Sequence, residues 1–178
     1  SEMCIRDRCR GTEWEEGWRN LRDECARLSE FERINLLKEK KGVFLGQHAI
    51  NPLSGDRIPV YAGNFVVAGY GTGAVMAVPG HDQRDFDFAK TYDLEIRRVL
   101  VEKPGDDPNR PLERAFTDYG PMVNSARPEF DGLSGDDAKS AVIDALESEN
   151  TGLGTTQYRL RDWLLSRQRF WGTPIPMI

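Results

Sequence analysis

Pro79-Gly80 separates two stretches that cannot belong to one continuous element. Before it runs "GAVMAV", Gly73 to Val78, apolar and uncharged; after it comes the acid-rich "HDQRDFDFAK", His81 to Lys90. Proline lacks an amide hydrogen and glycine tolerates backbone angles closed to other residues, so the pair punctuates the chain. The run over 73–79 predicts a strand buried on both faces, since none of its side chains carries charge. Beyond the turn, Asp82 stands where a helix N-cap belongs, and Phe86, Ala89 and Lys90 fit a helix that stops near Asp93. A strand end, a tight turn and an acidic helix start must therefore lie side by side.

Upstream, Trp14, Trp18, Leu21, Cys25 and Leu28 recur at helical spacing, which predicts a packing face. Ser29 with Glu32 forms a capping box for a second helix carrying Phe31, Ile34 and Leu37 and ending at Gly42. From Val43 to Gly63, short apolar runs broken by Asn-Pro and Ser-Gly-Asp predict strands and a hairpin. Further strands are expected at "NFVVAGY" (64–70), at "EIRRVLVEK" (95–103) and around Pro121 to Val123, with a short element at Phe116. "KPGDDPNRP" reads as a surface loop. A helix capped near Ser134 carries Ala138, Val142 and Leu146 on one face, and "TGLG" breaks it. The C-terminal run predicts a strand, a short helix and an extended piece. The mix is irregular, so the fold class is α+β rather than regular βαβ alternation. Residues 1–12 connect to no periodic pattern, and "SEMCIRDR" resembles translated adaptor sequence. They are read as a non-native or disordered terminus outside the fold.

A length of 178 residues with 39% hydrophobic and 30% charged side chains suits one domain, or one with part of a second. A net charge of -5 argues against a protein that coats nucleic acid nonspecifically, though it leaves room for a local basic patch. No apolar run approaches the ~18 residues of a membrane span. With no leader pattern in view, a cytoplasmic location is expected. Cys4, Cys9 and Cys25 form no metal-ligand spacing with His48 or His81, so no metal site is expected and the thiols are read as reduced.

Three groups of residues bear on chemistry. Gly71-Thr72-Gly73 lacks the remaining residues of a dinucleotide or P-loop fingerprint and leads into a strand, so a tight turn explains it. His81, Asp82 and Asp85 admit two readings. Both acids suit a helix start as N-cap and dipole partner. They could equally face an opening beside Met76 and Val78, where a carboxylate binds a ligand ammonium through a charge-assisted hydrogen bond. At the C-terminus, Arg159, Arg161, Arg167 and Arg169 alternate with Tyr158, Trp163, Phe170 and Trp171. Arginine among aromatics suits phosphate contact and base stacking, or an amphipathic face paired with acids elsewhere.

"GYGTGAVMAVPGHDQRDFDFAK" together with "YRLRDWLLSRQRFWGTPIPM" resembles the leucyl-tRNA synthetases of bacterial type. The resemblance extends through "LSEFERINLLKEKKGVFLG" and "INPLSGDRIPVYAGNFVV" and covers nearly everything after Glu13. It implies a barrel-like editing domain of mixed strands with flanking helices over 13–156, and over 157–178 the start of a return to a Rossmann-type catalytic core. That domain hydrolyses tRNA charged with the wrong amino acid. Such a second sieve is needed because an apolar pocket separates side chains differing by one methylene by only ~1–3 kcal/mol.

By resemblance, Asp85 anchors the α-ammonium of the misattached amino acid, with Asp82 and His81 beside it in the catalytic group. Met76 and Val78 shape the pocket wall, Thr72 belongs to the same editing pocket, and Tyr70 approaches the terminal adenosine. Arg159, Arg167 and Arg169 face tRNA. The implied partners are tRNA-Leu and its misattached amino acid, the implied state a monomer. ATP and Mg²⁺ serve the parent enzyme and no cofactor serves this segment. The family's upstream threonine-rich editing motif, and its His-Ile-Gly-His and Lys-Met-Ser-Lys-Ser signatures, do not occur here. The chain is thus read as a fragment that is inactive alone. The alternatives are a tRNA-binding module without catalysis, a fragment of an isoleucyl or valyl relative, or a small-molecule binder unrelated to tRNA.

Overall fold

In the computed structural model, residues 2–28, 40–66 and 73–156 are described. They form a mixed α/β arrangement: α1 (Glu2–Cys9), α2 (Glu15–Ala26), the hairpin of β1 (Gly42–Ile50) and β2 (Arg57–Gly63), α3 (Gln83–Thr91), a 3-10 turn (Pro128–Phe130) and α4 (Gly135–Ser148). The capping-box helix expected from Ser29 and Glu32, most of the expected strand 64–70 and the whole of 157–178 lie outside the described residues.

β1 and β2 pair antiparallel, with Gly42 opposite Gly63 and Ile50 opposite Arg57. The connection closes on Asn51, whose side chain accepts the Leu53 N–H at 3.0 Å while its backbone bonds Asp56 and Gly55. Between Phe44 and His48 the register shifts. Gly46 sits there at a φ of 68°, and a Cβ on it would come within 2.9 Å of the Trp14 ring. Glycine thus permits both the left-handed bulge and the close approach of α2.

The helix-spaced residues of α2 do pack: Trp18 and Leu21 are buried. Trp18 joins Cys9 and Leu45 in a cluster flanked by Ile5, Val60 and Ala62. The expectation of a terminus outside the fold does not hold for α1, whose Cys9 is fully buried against that cluster. A second apolar group links the hairpin to α3. Phe88 meets the rings of Tyr61, Phe65 and Tyr92, with the Tyr92 pair at 4.5 Å. The Tyr92 hydroxyl accepts the Gly42 N–H at 2.7 Å and donates to the Gly42 carbonyl at 2.9 Å. The C-terminal end of α3 is thereby fixed to the start of β1.

Two strand expectations are corrected. Residues 73–79 form no strand among the described residues, and Val75, Met76 and Val78 are 60%, 58% and 47% exposed rather than buried on both faces. The backbone groups a ladder would need at Val78 are used locally. Its N–H donates to Asp85, and its carbonyl accepts from the N–H groups of His81 and Asp82. Over 95–103 the pairing shrinks to one antiparallel bridge, Leu100 with Met122, supported by Val101 N–H to Pro121 and Val123 N–H to Val99. The barrel-like sheet implied by the resemblance is therefore represented, among the described residues, by a two-stranded hairpin.

Candidate functional site

The start of α3 is built as the sequence demands. Asp82 has extended backbone angles, φ −124° and ψ 127°, and its side chain accepts the Arg84 and Asp85 N–H groups at 2.8 and 3.2 Å. This satisfies two of the amide hydrogens that every helix start leaves without an internal partner. Arg84 folds back onto the same carboxylate at 3.2 Å. Burial alone would raise the pKa of Asp82, but these hydrogen bonds and the Arg84 charge outweigh it and hold the group below its ordinary value.

Asp85, one turn on, behaves in the opposite way. Oδ2 accepts the Val78 N–H at 2.8 Å, tying the helix to the apolar run. Oδ1 has no hydrogen-bond partner among the described residues. Burial is the largest influence on this carboxyl and raises its pKa; the Val78 bond opposes it, the Asp82 charge adds to it and Arg84 opposes it. A carboxylate in that state gains from a cation brought to its free oxygen.

Both ring nitrogens of His81 are engaged elsewhere. Its Nδ1 lies 2.9 Å from the Phe116 carbonyl oxygen, and its Nε2 accepts the Val99 N–H at 3.1 Å. The structure thus gathers His81, Asp82 and Asp85 at one helix start, tied to the backbone of Val78, and Met76 and Val78 in the preceding run are exposed. The three side chains do separate work. Tyr70, Thr72, Arg159, Arg167 and Arg169 lie outside the described residues. Among the described residues, no group of three or more His, Cys, Asp or Glu side chains is arranged to hold a metal ion. None of their helices is long and apolar enough to cross a membrane.

Sequence reasoning missed Tyr92 and the backbone of Val99 and Phe116, which hold this corner in place. The Pro-Gly pair signalled Gly80, but no local pattern marks Phe116 as the partner of a histidine 35 positions earlier. A cleft of about 460 Å³ lies elsewhere, lined by Arg97, Arg98, Arg110 and Asn124 among others, and contains none of the three site residues.

The site offers an Asp85 oxygen with no partner among the described residues, at a helix start that follows an exposed apolar run. The chain is a mixed α/β domain with a half-used carboxylate at one helix start. The profile of the family described as leucyl-tRNA synthetase, editing domain, matches residues 10–147, and the chain belongs to that family. It is 50% identical over 156 residues to the leucine–tRNA ligase of Rubrobacter xylanophilus, covering 88% of this chain and 19% of the relative. It is 53% identical over 159 residues to that of Clostridium botulinum strain Hall, covering 89% and 18%. Among solved structures it is similar to the LeuRS of Agrobacterium radiobacter K84 in a ternary complex with tRNA and LeuAMS. That match has a TM-score of 0.55 and 30% identity, over 82% of this chain and 15% of the other. The chain spans about a fifth of the length of the curated relatives it matches. Both relatives are named for leucine, which supports the leucyl reading over the isoleucyl or valyl one.

Proposed function

We propose that this chain is the part of a leucine–tRNA ligase editing domain that receives the misattached amino acid, with Asp85 as the anchor of its α-ammonium. The observation that carries the reading is the half-used Asp85 carboxylate. Val78 occupies one oxygen through its backbone, the other has no partner among the described residues, and Met76 and Val78 in the run before the turn are exposed. An aminoacyl ester presents an ammonium next to a side chain, which matches an anionic oxygen next to an apolar wall.

Asp82 serves that anchor as the cap that fixes the first turn. Thr72 belongs to the editing pocket, Tyr70 approaches the terminal adenosine, and Arg159, Arg167 and Arg169 contact tRNA phosphate on the way to a Rossmann-type core. In the parent, a monomeric cytoplasmic enzyme, ATP and Mg²⁺ belong to the synthetic reaction in another domain. The likeness to a LeuRS solved with tRNA supports tRNA-Leu as the partner.

The test is clearance of misacylated tRNA-Leu by the parent enzyme, with Asp85→Ala compared with wild type at equal folded concentration. Clearance should fall while leucine-dependent ATP–pyrophosphate exchange stays near normal. Undiminished clearance by Asp85→Ala would return the residue to a helix-start role. Separately, Arg167→Ala or Arg169→Ala should lower the salt slope of tRNA binding by about one each if these are phosphate contacts. An unchanged slope with a large drop in melting temperature would assign them to packing.

A further inference from the structure

His81 ties the turn before α3 to the segments at Val99 and Phe116. Its ring is half-buried and both nitrogens are committed, Nδ1 at 2.9 Å to the Phe116 carbonyl and Nε2 at 3.1 Å to the Val99 N–H. A carbonyl only accepts and an amide only donates. The two bonds together therefore specify a neutral imidazole with its proton on Nδ1. The neighbouring residue reinforces the attachment. The Gly80 carbonyl accepts the Phe116 N–H at 2.9 Å, and a Cβ on Gly80 would lie 2.6 Å from the Arg97 carbonyl oxygen. The turn thus lies directly on residues 97–99.

From there the geometry closes on itself. Val78 and Asp85 are joined across the turn at 2.8 Å, so whatever holds the turn also sets where the carboxylate stands relative to the apolar wall. We propose that His81 is a positioning residue: a neutral bracket, protonated on Nδ1, that fixes the turn between the wall and the helix start and so aims Asp85, transferring no proton itself. The inference rests on the reading of Asp85 as the ammonium anchor. It assigns His81 a role different from the catalytic one implied by resemblance.

The surroundings of the ring agree. Burial lowers its proton affinity most, the Phe116 bond opposes this, and the Arg98 charge on the neighbouring segment lowers it further. The Phe116 side contributes a carbonyl and an edge-on aromatic ring at 6.2 Å. Protonating Nε2 would set a donor against the Val99 N–H and release that bond. Because the folded-state pKa is depressed, the unfolded chain takes up the proton first as pH falls. The bracket's contribution is therefore complete above the ordinary histidine range and is lost as pH drops through and below it.

Long-range ¹H–¹⁵N correlation spectra of this chain test the tautomer directly, with exposed His48 on β1 supplying a second signal. A neutral His81 with Nδ1 protonated and Nε2 bare is expected at neutral pH. An Nε2-protonated ring, or a rapidly averaging pair of tautomers, would overturn the bracket. In the parent enzyme, His81→Asn keeps a donor for Phe116 and His81→Gln keeps an acceptor for Val99, while neither can relay a proton. His81→Ala should lose about tenfold or more in clearance, with at least one of the two amide variants recovering to within about threefold of wild type. If Asn and Gln fold as wild type yet are as inactive as Ala, His81 moves protons and the proposal fails. Should the Ala variant not fold, the tautomer and the two amide variants still decide. An Asp85→Ala enzyme with normal clearance would overturn the anchor reading and the aiming role with it, leaving the tautomer measurement to judge the bracket geometry by itself.

Discussion

Helices α3 and α4 both begin with aspartates, and they use them differently. At α3, Asp82 caps the helix through two backbone N–H groups, and Asp85 reaches back across the turn to Val78. At α4 the cap residue Ser134 makes no side-chain bond to the helix, and Asp136 and Asp137 occupy the first turn. The Asp136 side chain is 96% exposed and pairs only with Lys139, three residues on. The difference lies in what precedes each helix. Pro79-Gly80 folds the chain back so that a backbone donor meets the first turn of α3. Before α4, Gly135 follows the cap residue at a φ of 57°, outside the helical range, and the serine hydroxyl is not brought onto the helix N–H groups. An acid at a helix start is thus not a site in itself. What distinguishes Asp85 is partial burial and one oxygen engaged by the backbone of the apolar run before the turn.

That contrast can be broken by experiment. The largest effect is expected from Asp85→Ala in the parent enzyme. Loss of a charge-assisted contact to a partly desolvated ammonium should cost about 2–4 kcal/mol in transition-state binding, at least a tenfold loss in clearance. Asp136→Ala and Asp137→Ala should leave clearance near wild type in the same assay. Equal losses at the two helices would erase the distinction.

Stability separates the caps. Asp82→Ala should destabilise this chain by about 1 kcal/mol in urea denaturation, because two amide hydrogens lose their acceptor. Ser134→Ala should change it far less, since that hydroxyl makes no cap bond to lose. If Ser134→Ala cost as much as Asp82→Ala, the cap geometry assigned to α4 would be wrong.

The pH dependence should carry opposite signs at the two aspartates of α3. Asp82 is depressed in the folded state, so its contribution is present above the ordinary carboxylate range and is lost as pH falls through its folded value. Asp85 is raised, so the folded state binds its proton more readily, and stability falls as pH rises through that range. Urea midpoints against pH for Asp82→Asn and Asp85→Asn should each remove one of these trends. The same slope change in both variants would contradict the assignment. The smallest effect belongs to Asp136→Asn, which breaks an exposed i,i+3 pair with Lys139 and should stay within about 0.5 kcal/mol.

These outcomes bear on how much could be read in advance. Periodicity and punctuation located α2, the hairpin, α3 and α4, because those features are local: helical spacing at Trp18 and Leu21, Asn-Pro and Ser-Gly-Asp between the strands, Asp82 after Pro-Gly. The site was legible as residue types at a helix start. Burial of the run at 73–79 was misjudged. An uncharged sequence predicts cover only where neighbours can pair with it, and here the turn and Asp85 take the polar groups of Val78 first. The role of His81 was illegible for a related reason. Its partners at 99 and 116 are fixed by tertiary approach, which no spacing within 81–90 encodes. The same holds for Cys9, whose burial depends on Trp18 and Leu45.

The most direct test of the account isolates the ammonium itself. Binding to the parent enzyme of a non-hydrolysable adenosine analogue bearing an amino acid would be measured beside its des-amino counterpart, for wild type and Asp85→Ala. Asp85→Ala is expected to weaken the amino compound at least tenfold and to leave the des-amino compound unchanged, so that the whole loss is coupled to the cation. An equal loss for both compounds would show that Asp85 supports the fold of the pocket and holds no ammonium.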